Sequence, residues 1–267
     1  MLLSAALLLG ALVHAHAAQE RATTSLSPLI AKGLDVHAPS KVGPIPGIAL
    51  DSYAGLITTN ASVNAEAFFW YWPAASGNAS APVLVWMQGG PGSSSLFGCF
   101  AEMGPYRVNA AGQPVPNPSA WTRDYHMVFL DNPRGTGYSS ADVLCTEWQC
   151  YGADFDAFIR QFLAGYGLLA NDLYITGESY GGHYVPSSAY TVFTNNALGV
   201  TPRVNLRGVA VGNGFVAPLE MSGGYADAIY QAGLLSLPEY AIAQSYVANI
   251  TQKIEAEDYV GAVSEQG

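Results

Sequence analysis

Leu173-Tyr174-Ile175-Thr176-Gly177-Glu178-Ser179-Tyr180-Gly181-Gly182-His183-Tyr184 decides how this 267-residue chain is read. An apolar, β-branched run leads into Gly-Glu-Ser-Tyr-Gly, and helical spacing follows over residues 184–193. Strand, sharp turn and helix, in that order, are what the nucleophile-elbow pattern G-x-S-x-G requires. Glycines beside the serine leave room in a turn too tight for side chains. A glycine-serine turn without chemistry would carry the same residues. The rest of the chain therefore has to supply an oxyanion hole, a base and an acid to orient the base.

Outward from the elbow, residues 82–87 form a continuous apolar run, as expected of a strand buried on both faces. It ends in Gln88-Gly89-Gly90-Pro91-Gly92. Residues 126–131 read as a second buried strand before the turn at 132–137, and residues 206–211 as a third before Gly212-Asn213-Gly214. Two-residue alternation over 48–59 and 67–72 suggests an antiparallel pair at a sheet edge. Residues 154–163 carry helical spacing at Phe155, Phe158, Ile159 and Phe162. Buried strands alternating with helices predict an α/β fold: a mostly parallel sheet with helices on both faces and functional turns at the strands' carboxyl ends. Past Phe215, residues 225–235 and 237–250 read as consecutive helices with no strand between them, the start of a helical cap or insertion.

Half of the residues are hydrophobic and 11% are charged, which predicts a large buried core. A net charge of -10 offers no basic patch for phosphates and argues against a nucleic-acid partner. Residues 2–13 are almost all Leu and Ala, and Ala15-His16-Ala17 reads as a cleavage site, so residues 1–17 are expected to be a secretory signal peptide. Residues 18–214 are then the core and 215–267 the start of the cap. No later stretch is long and apolar enough for a membrane anchor. Asn60, Asn78 and Asn249 head N-glycosylation sequons, which suits a secreted or lysosomal/vacuolar address, whereas Asn117-Pro118-Ser119 is excluded by its proline. Cys99, Cys145 and Cys150 are an odd count; either Cys145 and Cys150 clip one loop and leave Cys99 alone, or partners lie elsewhere.

An acyl-transfer serine needs two N–H groups aimed at the developing oxyanion. Tyr180, next after Ser179, offers one, and the glycine-rich loop at 88–92 stands where the other belongs. Neither phosphate-binding pattern is completed, and the chemistry calls for no cofactor and no metal. These motifs occur with residues 83–95, Glu102-Met103-Gly104-Pro105-Tyr106, Phe129-Leu130-Asp131-Asn132-Pro133, residues 177–186, Asn205-Leu206-Arg207-Gly208 and Gly212-Asn213-Gly214. Together, from about residue 47 onward, they resemble the serine carboxypeptidase family of α/β-hydrolases. Gln88, residues 131–137 and Gly223-Gly224-Tyr225-Ala226 resemble its vitellogenic-like branch.

The resemblance implies removal of C-terminal residues from peptides or proteins through an acyl-enzyme. It implies Ser179 as nucleophile, Gly90 and Tyr180 as oxyanion donors, and Trp86, Gln88, Gly89, Glu102 and Glu178 as readers of the substrate carboxylate. Two carboxyl groups facing a third cannot all be ionised in a dry site, so one must hold a proton and activity should be best in acid. Two other readings use the same residues: a carboxypeptidase-like acyltransferase, and a secreted binding protein that has lost catalysis. Gln88 stands where most members have Asn, and Ser93 replaces a common cysteine.

In this fold the triad follows the order Ser, Asp, His. After Ser179 come only His183, Asp227 and Asp258. His183 reads as a packed structural histidine, and both aspartates fall in the helical segment. The chain is therefore expected to be the N-terminal portion of a truncated α/β-hydrolase, inactive without the triad's other members.

Overall fold

A computed structural model describes residues 25–266 of the chain; the expected signal peptide lies outside them. In chain order the strands are β1 (Tyr53–Asn60), β2 (Ala65–Trp72), β3 (Val83–Met87), β4 (Tyr106–Val108), β5 (Pro114–Pro116), β6 (His126–Leu130), β7 (Leu173–Glu178) and β8 (Leu206–Gly212). Six of them form one sheet in the order β1-β2-β6-β3-β7-β8, and β4 pairs with β5 as a separate hairpin. The β6-β3-β7-β8 pairings are parallel, whereas β1-β2 and β2-β6 are antiparallel. The turns after β3, β6, β7 and β8 thus gather along one edge, where sheets of this kind build their sites.

Alternation along the strands divides the buried side chains between the two faces of the sheet. On one face Phe69, Tyr71, Val83, Val85, Met87, Val128, Leu130 and Ile175 pack with Phe155, Phe158 and Phe162 of α3 (Trp148–Gly165) and Tyr184 and Val185 of α4 (Gly181–Ala197). On the other, Trp72, Leu84, Trp86, Met127 and Phe129 pack with Cys99, Met103 and Tyr106. Two short helices, α1 (Ser27–Ala31) and α2 (His37–Ser40), precede the sheet.

The chain divides into two compact units, the first ending at Gly214 and the second beginning at Phe215. The second consists of α5 (Pro218–Gln231), α6 (Leu237–Glu255) and α7 (Tyr259–Gln266). Helix α6 starts at a capping box formed by Ser236 and Glu239. Asp227 on α5 accepts from Tyr240 Oη at 2.6 Å and Gln244 Nε2 at 2.7 Å on α6. No helix among the described residues is long and apolar enough to cross a membrane.

Several elements differ from the sequence reading. Strand β1 starts at Tyr53 because the alternating residues before it are a loop, in which Ala49 N and Leu50 N donate to Tyr106 Oη at 2.8 and 3.1 Å. Strand β8 is not buried: it pairs only with β7, stands at the edge of the sheet, and leaves Val209 52% exposed. Helix α3 begins six residues before the expected 154, with Cys150 in its first turn tied to Cys145 by a disulfide. Cys99 is a free thiol in the core.

Candidate active site

Ser179 occupies the left-handed region, φ 57°, which a side chain accepts only where its surroundings impose it. Three hydrogen bonds do so. Ser179 N donates to Gly212 O at the end of β8 (3.0 Å), Gly182 N to Ser179 O (2.9 Å) and His183 N to Tyr180 O (2.9 Å), the last two opening α4. A Cβ on Gly177 would lie 2.7 Å from Met87 O, so the elbow strand runs hard against β3. The serine side chain is exposed at the top of this turn.

The loop after β3 is packed onto the elbow with equal tightness. A Cβ on Gly89 would lie 2.6 Å from Tyr180 N and 2.7 Å from both Glu178 O and Ser179 Cβ. Gly90 follows with φ 113°, closed to other residues. The loop is braced from β6. Asp131, 2% exposed, accepts through Oδ1 from Ser94 Oγ (2.6 Å) and Ser95 N (2.9 Å), and through Oδ2 from Tyr138 N (2.9 Å). Burial pushes the Asp131 carboxyl above its ordinary value, with these three donors opposing the rise. Ser95 Oγ in turn accepts from Gln88 N at 3.0 Å and donates to Leu130 O. Below this turn Arg134 forms a two-pronged ion pair with Asp154, both contacts 2.6 Å and both side chains buried.

Trp86, Gln88, Glu102 and Glu178 come together beside the elbow. The Trp86 indole N–H can only donate, and it does so to Gln88 Oε1 at 2.9 Å. The Gln88 amide is thereby oriented with its NH2 towards Glu178 Oε1, 3.4 Å away. Glu102 ends a single π-helical turn, Gly98–Glu102, a local widening common where a side chain is aimed at a site. Its carboxyl is pushed up to about 7, first by burial and then by the negative charge of the neighbouring Glu178, with the Gln88 amide opposing. Glu102 Oε2 is buried without a hydrogen-bond partner among the described residues.

The remaining titratable candidates are placed elsewhere or in structural roles. His183 stacks flat on Tyr180, centroids 4.3 Å apart and planes 9° apart. His126 is buried against Tyr71 Oη and Ala74 N. His37 pairs with Asp35 at the surface, and Asp258 accepts from Gly261 N. Among the described residues no histidine or aspartate is hydrogen-bonded to Ser179. Asn60, Asn78 and Asn249 are exposed. Asp131, Ser94 and Ser95 were not distinguishable as braces from sequence, since a buried aspartate reveals itself only through donors contributed by other turns.

Residues 43–264 match the family described as serine carboxypeptidase. The chain belongs to the serine carboxypeptidase family. Among its relatives are the probable serine carboxypeptidase CPVL of Homo sapiens, 38% identical over 229 residues, covering 84% of this chain and 48% of that protein. The vitellogenic carboxypeptidase of Aedes aegypti is 39% identical over 193 residues, covering 71% of this chain and 40% of its own. The chain therefore spans about half the length of the curated relatives it matches. A prohormone-processing carboxypeptidase from Saccharomyces cerevisiae superposes with TM-score 0.73 at 24% identity, covering 84% of this chain and 53% of the other, and shares the fold. The family's α/β-hydrolase fold is the one described above, with a mostly parallel sheet and the serine on its elbow.

Proposed function

We propose that this chain carries the nucleophile and the substrate-reading half of a serine carboxypeptidase acting on free C-termini of peptides or proteins. Ser179 Oγ attacks the last peptide carbonyl, and the N–H groups of Gly90 and Tyr180 hold the resulting oxyanion. The terminal amino acid departs, leaving an acyl-Ser179 ester that water then hydrolyses. The base and its orienting acid belong to the half of the family's length that these residues do not span. The terminal carboxylate of the substrate docks between Glu102 and Glu178, with Gln88, Gly89 and Trp86 around it.

One observation carries this reading: a carboxyl group held up to about 7 stands beside a second carboxyl at the nucleophile's own turn. Below that pH the protonated Glu102 can donate to a carboxylate; above it, the ionised pair repels one. An acyl ester lacking a carboxylate would make no use of such a pair, which favours hydrolysis of peptide ends over acyl transfer from neutral esters. The second unit, from Phe215, is read as the start of a cap, and the exposed Asn60, Asn78 and Asn249 as glycosylation sites of a secretory-pathway protein.

The test uses the full-length protein with a blocked dipeptide as free acid and as C-terminal amide, alongside fluorophosphonate labelling. Release of the terminal residue from the acid only, abolished in Ser179→Ala, and label mapped to Ser179 are the expected results. Cleavage indifferent to the terminal carboxylate would refute the reading.

A further inference from the structure

The only Asn-Pro-Ser in the chain, set aside as a glycosylation signal, has a different use. Four successive carbonyls, those of Glu102, Met103, Gly104 and Pro105, follow directly from the π-helical turn. All four accept from residues 117–121. Asn117 Nδ2 donates to Glu102 O at 2.8 Å and to Gly104 O at 2.9 Å; Trp121 N donates to Met103 O at 2.9 Å, and Asn117 N to Pro105 O at 2.9 Å. Ser119 N donates to Asn117 Oδ1 at 3.1 Å, which fixes the orientation of the amide and commits both its protons to the turn. Asn117 is 6% exposed. The turn has no slack of its own: a Cβ on Gly104 would lie 1.8 Å from Cys99 O. The same segment also reaches the other side of the carboxylate site, because Trp121 packs edge-on against Trp86 at 5.9 Å, and Trp86 orients Gln88.

We infer that Asn117 is a positioning residue for substrate-carboxylate recognition, its amide clamping the turn that aims Glu102 at Gln88 and Glu178. This rests on the reading of Glu102 given above. The elbow does not depend on it: Ser179 is held by Gly212, Gly182 and the loop at Gly89, none of which Asn117 touches. Loss of the amide should therefore move substrate binding and leave the nucleophile alone.

The experiment compares Asn117→Ser, Asn117→Asp and Glu102→Ala in the full-length protein at pH 5. Asn117→Asp keeps the acceptor for Ser119 N but turns an oxygen towards two carbonyls; Asn117→Ser is the milder variant should Asn117→Asp fail to fold. Measured are KM and kcat for a blocked dipeptide as free acid and as amide, and the rate of fluorophosphonate labelling at Ser179. For both Asn117 variants KM for the free acid should rise about tenfold, the size of a lost buried hydrogen bond or two, with kcat and labelling within about twofold. The preference for acid over amide should shrink in proportion. If the Asn117 variants keep that preference while Glu102→Ala loses it, the positioning role is overturned. A labelling rate that falls in step with the rise in KM also overturns it, since Asn117 would then support the whole fold. A Glu102→Ala enzyme with unchanged preference overturns instead the reading of Glu102 on which the inference rests.

Discussion

Replacing Glu102 by Gln keeps the shape and the donor of the protonated acid and removes its ability to ionise. The wild-type carboxyl is held up to about 7 from an ordinary 4.5, by burial and by the charge on Glu178. At pH 5 almost all of it is protonated; at pH 8 only about one molecule in eleven is, by the titration of a single group. The useful quantity is the ratio of kcat/KM for a free-acid dipeptide to that for its amide, because titration of the catalytic base affects both substrates and cancels. In the wild-type full-length enzyme that ratio should be flat below pH 6 and fall roughly tenfold between pH 5 and pH 8. In Glu102→Gln it should stay flat across the whole range. A Glu102→Gln enzyme with the same descending limb would refute the argument, since some other group would then be reading the carboxylate. Stability supplies a second readout. A carboxyl whose folded value is raised contributes stability that is present below its unfolded value and lost as pH climbs through the folded one. The Tm of Glu102→Gln should thus match wild type near pH 4, exceed it increasingly between about pH 4.5 and 7, and keep a constant margin above that.

Gly89→Ala places a methyl 2.6 Å from Tyr180 N and 2.7 Å from Glu178 O and Ser179 Cβ, so the backbone has to shift; kcat and fluorophosphonate labelling should fall by about 100-fold or more, and Tm should drop with them. Asp131→Asn cannot accept from Ser94, Ser95 and Tyr138 together; one N–H loses its acceptor, at about 1–3 kcal/mol, and both urea midpoint and kcat should drop. Arg134→Ala leaves Asp154 buried without its partner, and equilibrium unfolding should show a loss of about 3–5 kcal/mol, with KM for peptides unaffected in whatever folds.

The elements that stood out in the sequence are those whose signal is local. Strands β3 and β6 are buried along their whole length and are written as near-continuous apolar runs, and β7 leads into an elbow that needs small residues at fixed offsets from Ser179. What sequence could not supply depends on distant partners. Residues 48–52 alternate like a strand yet end up as a loop because the Tyr106 hydroxyl takes their N–H groups. Strand β8 is as apolar as its neighbours but lies at the sheet edge, a fact of topology rather than composition. Helix α4 starts at Gly181 and runs through Pro186, both poor helix residues, because the turn at Ser179 sets its first hydrogen bonds. Glu102 and Glu178 were singled out by resemblance; that Gln88 turns its NH2 towards Glu178 follows from the Trp86 indole, and the brace at Asp131 from the turns after two strands, β3 and β6.

Ser179, the proposed nucleophile, and Glu102, the proposed carboxylate reader, hang from different supports. Ser179 is mounted on the central sheet, through β3, β7 and β8, whereas Glu102 is mounted on residues 105–121, a hairpin and turn that share no strand with that sheet. Two mountings make the site modular. Sequence change within 105–121 can shift the height and tilt of the carboxylate reader by fractions of an ångström without touching the reactive serine. On the proposed role of Glu102, that gives an evolving or engineered enzyme a dial for substrate-end preference that is independent of its chemistry, and a graft of this 17-residue stretch between family members is the natural unit for turning it.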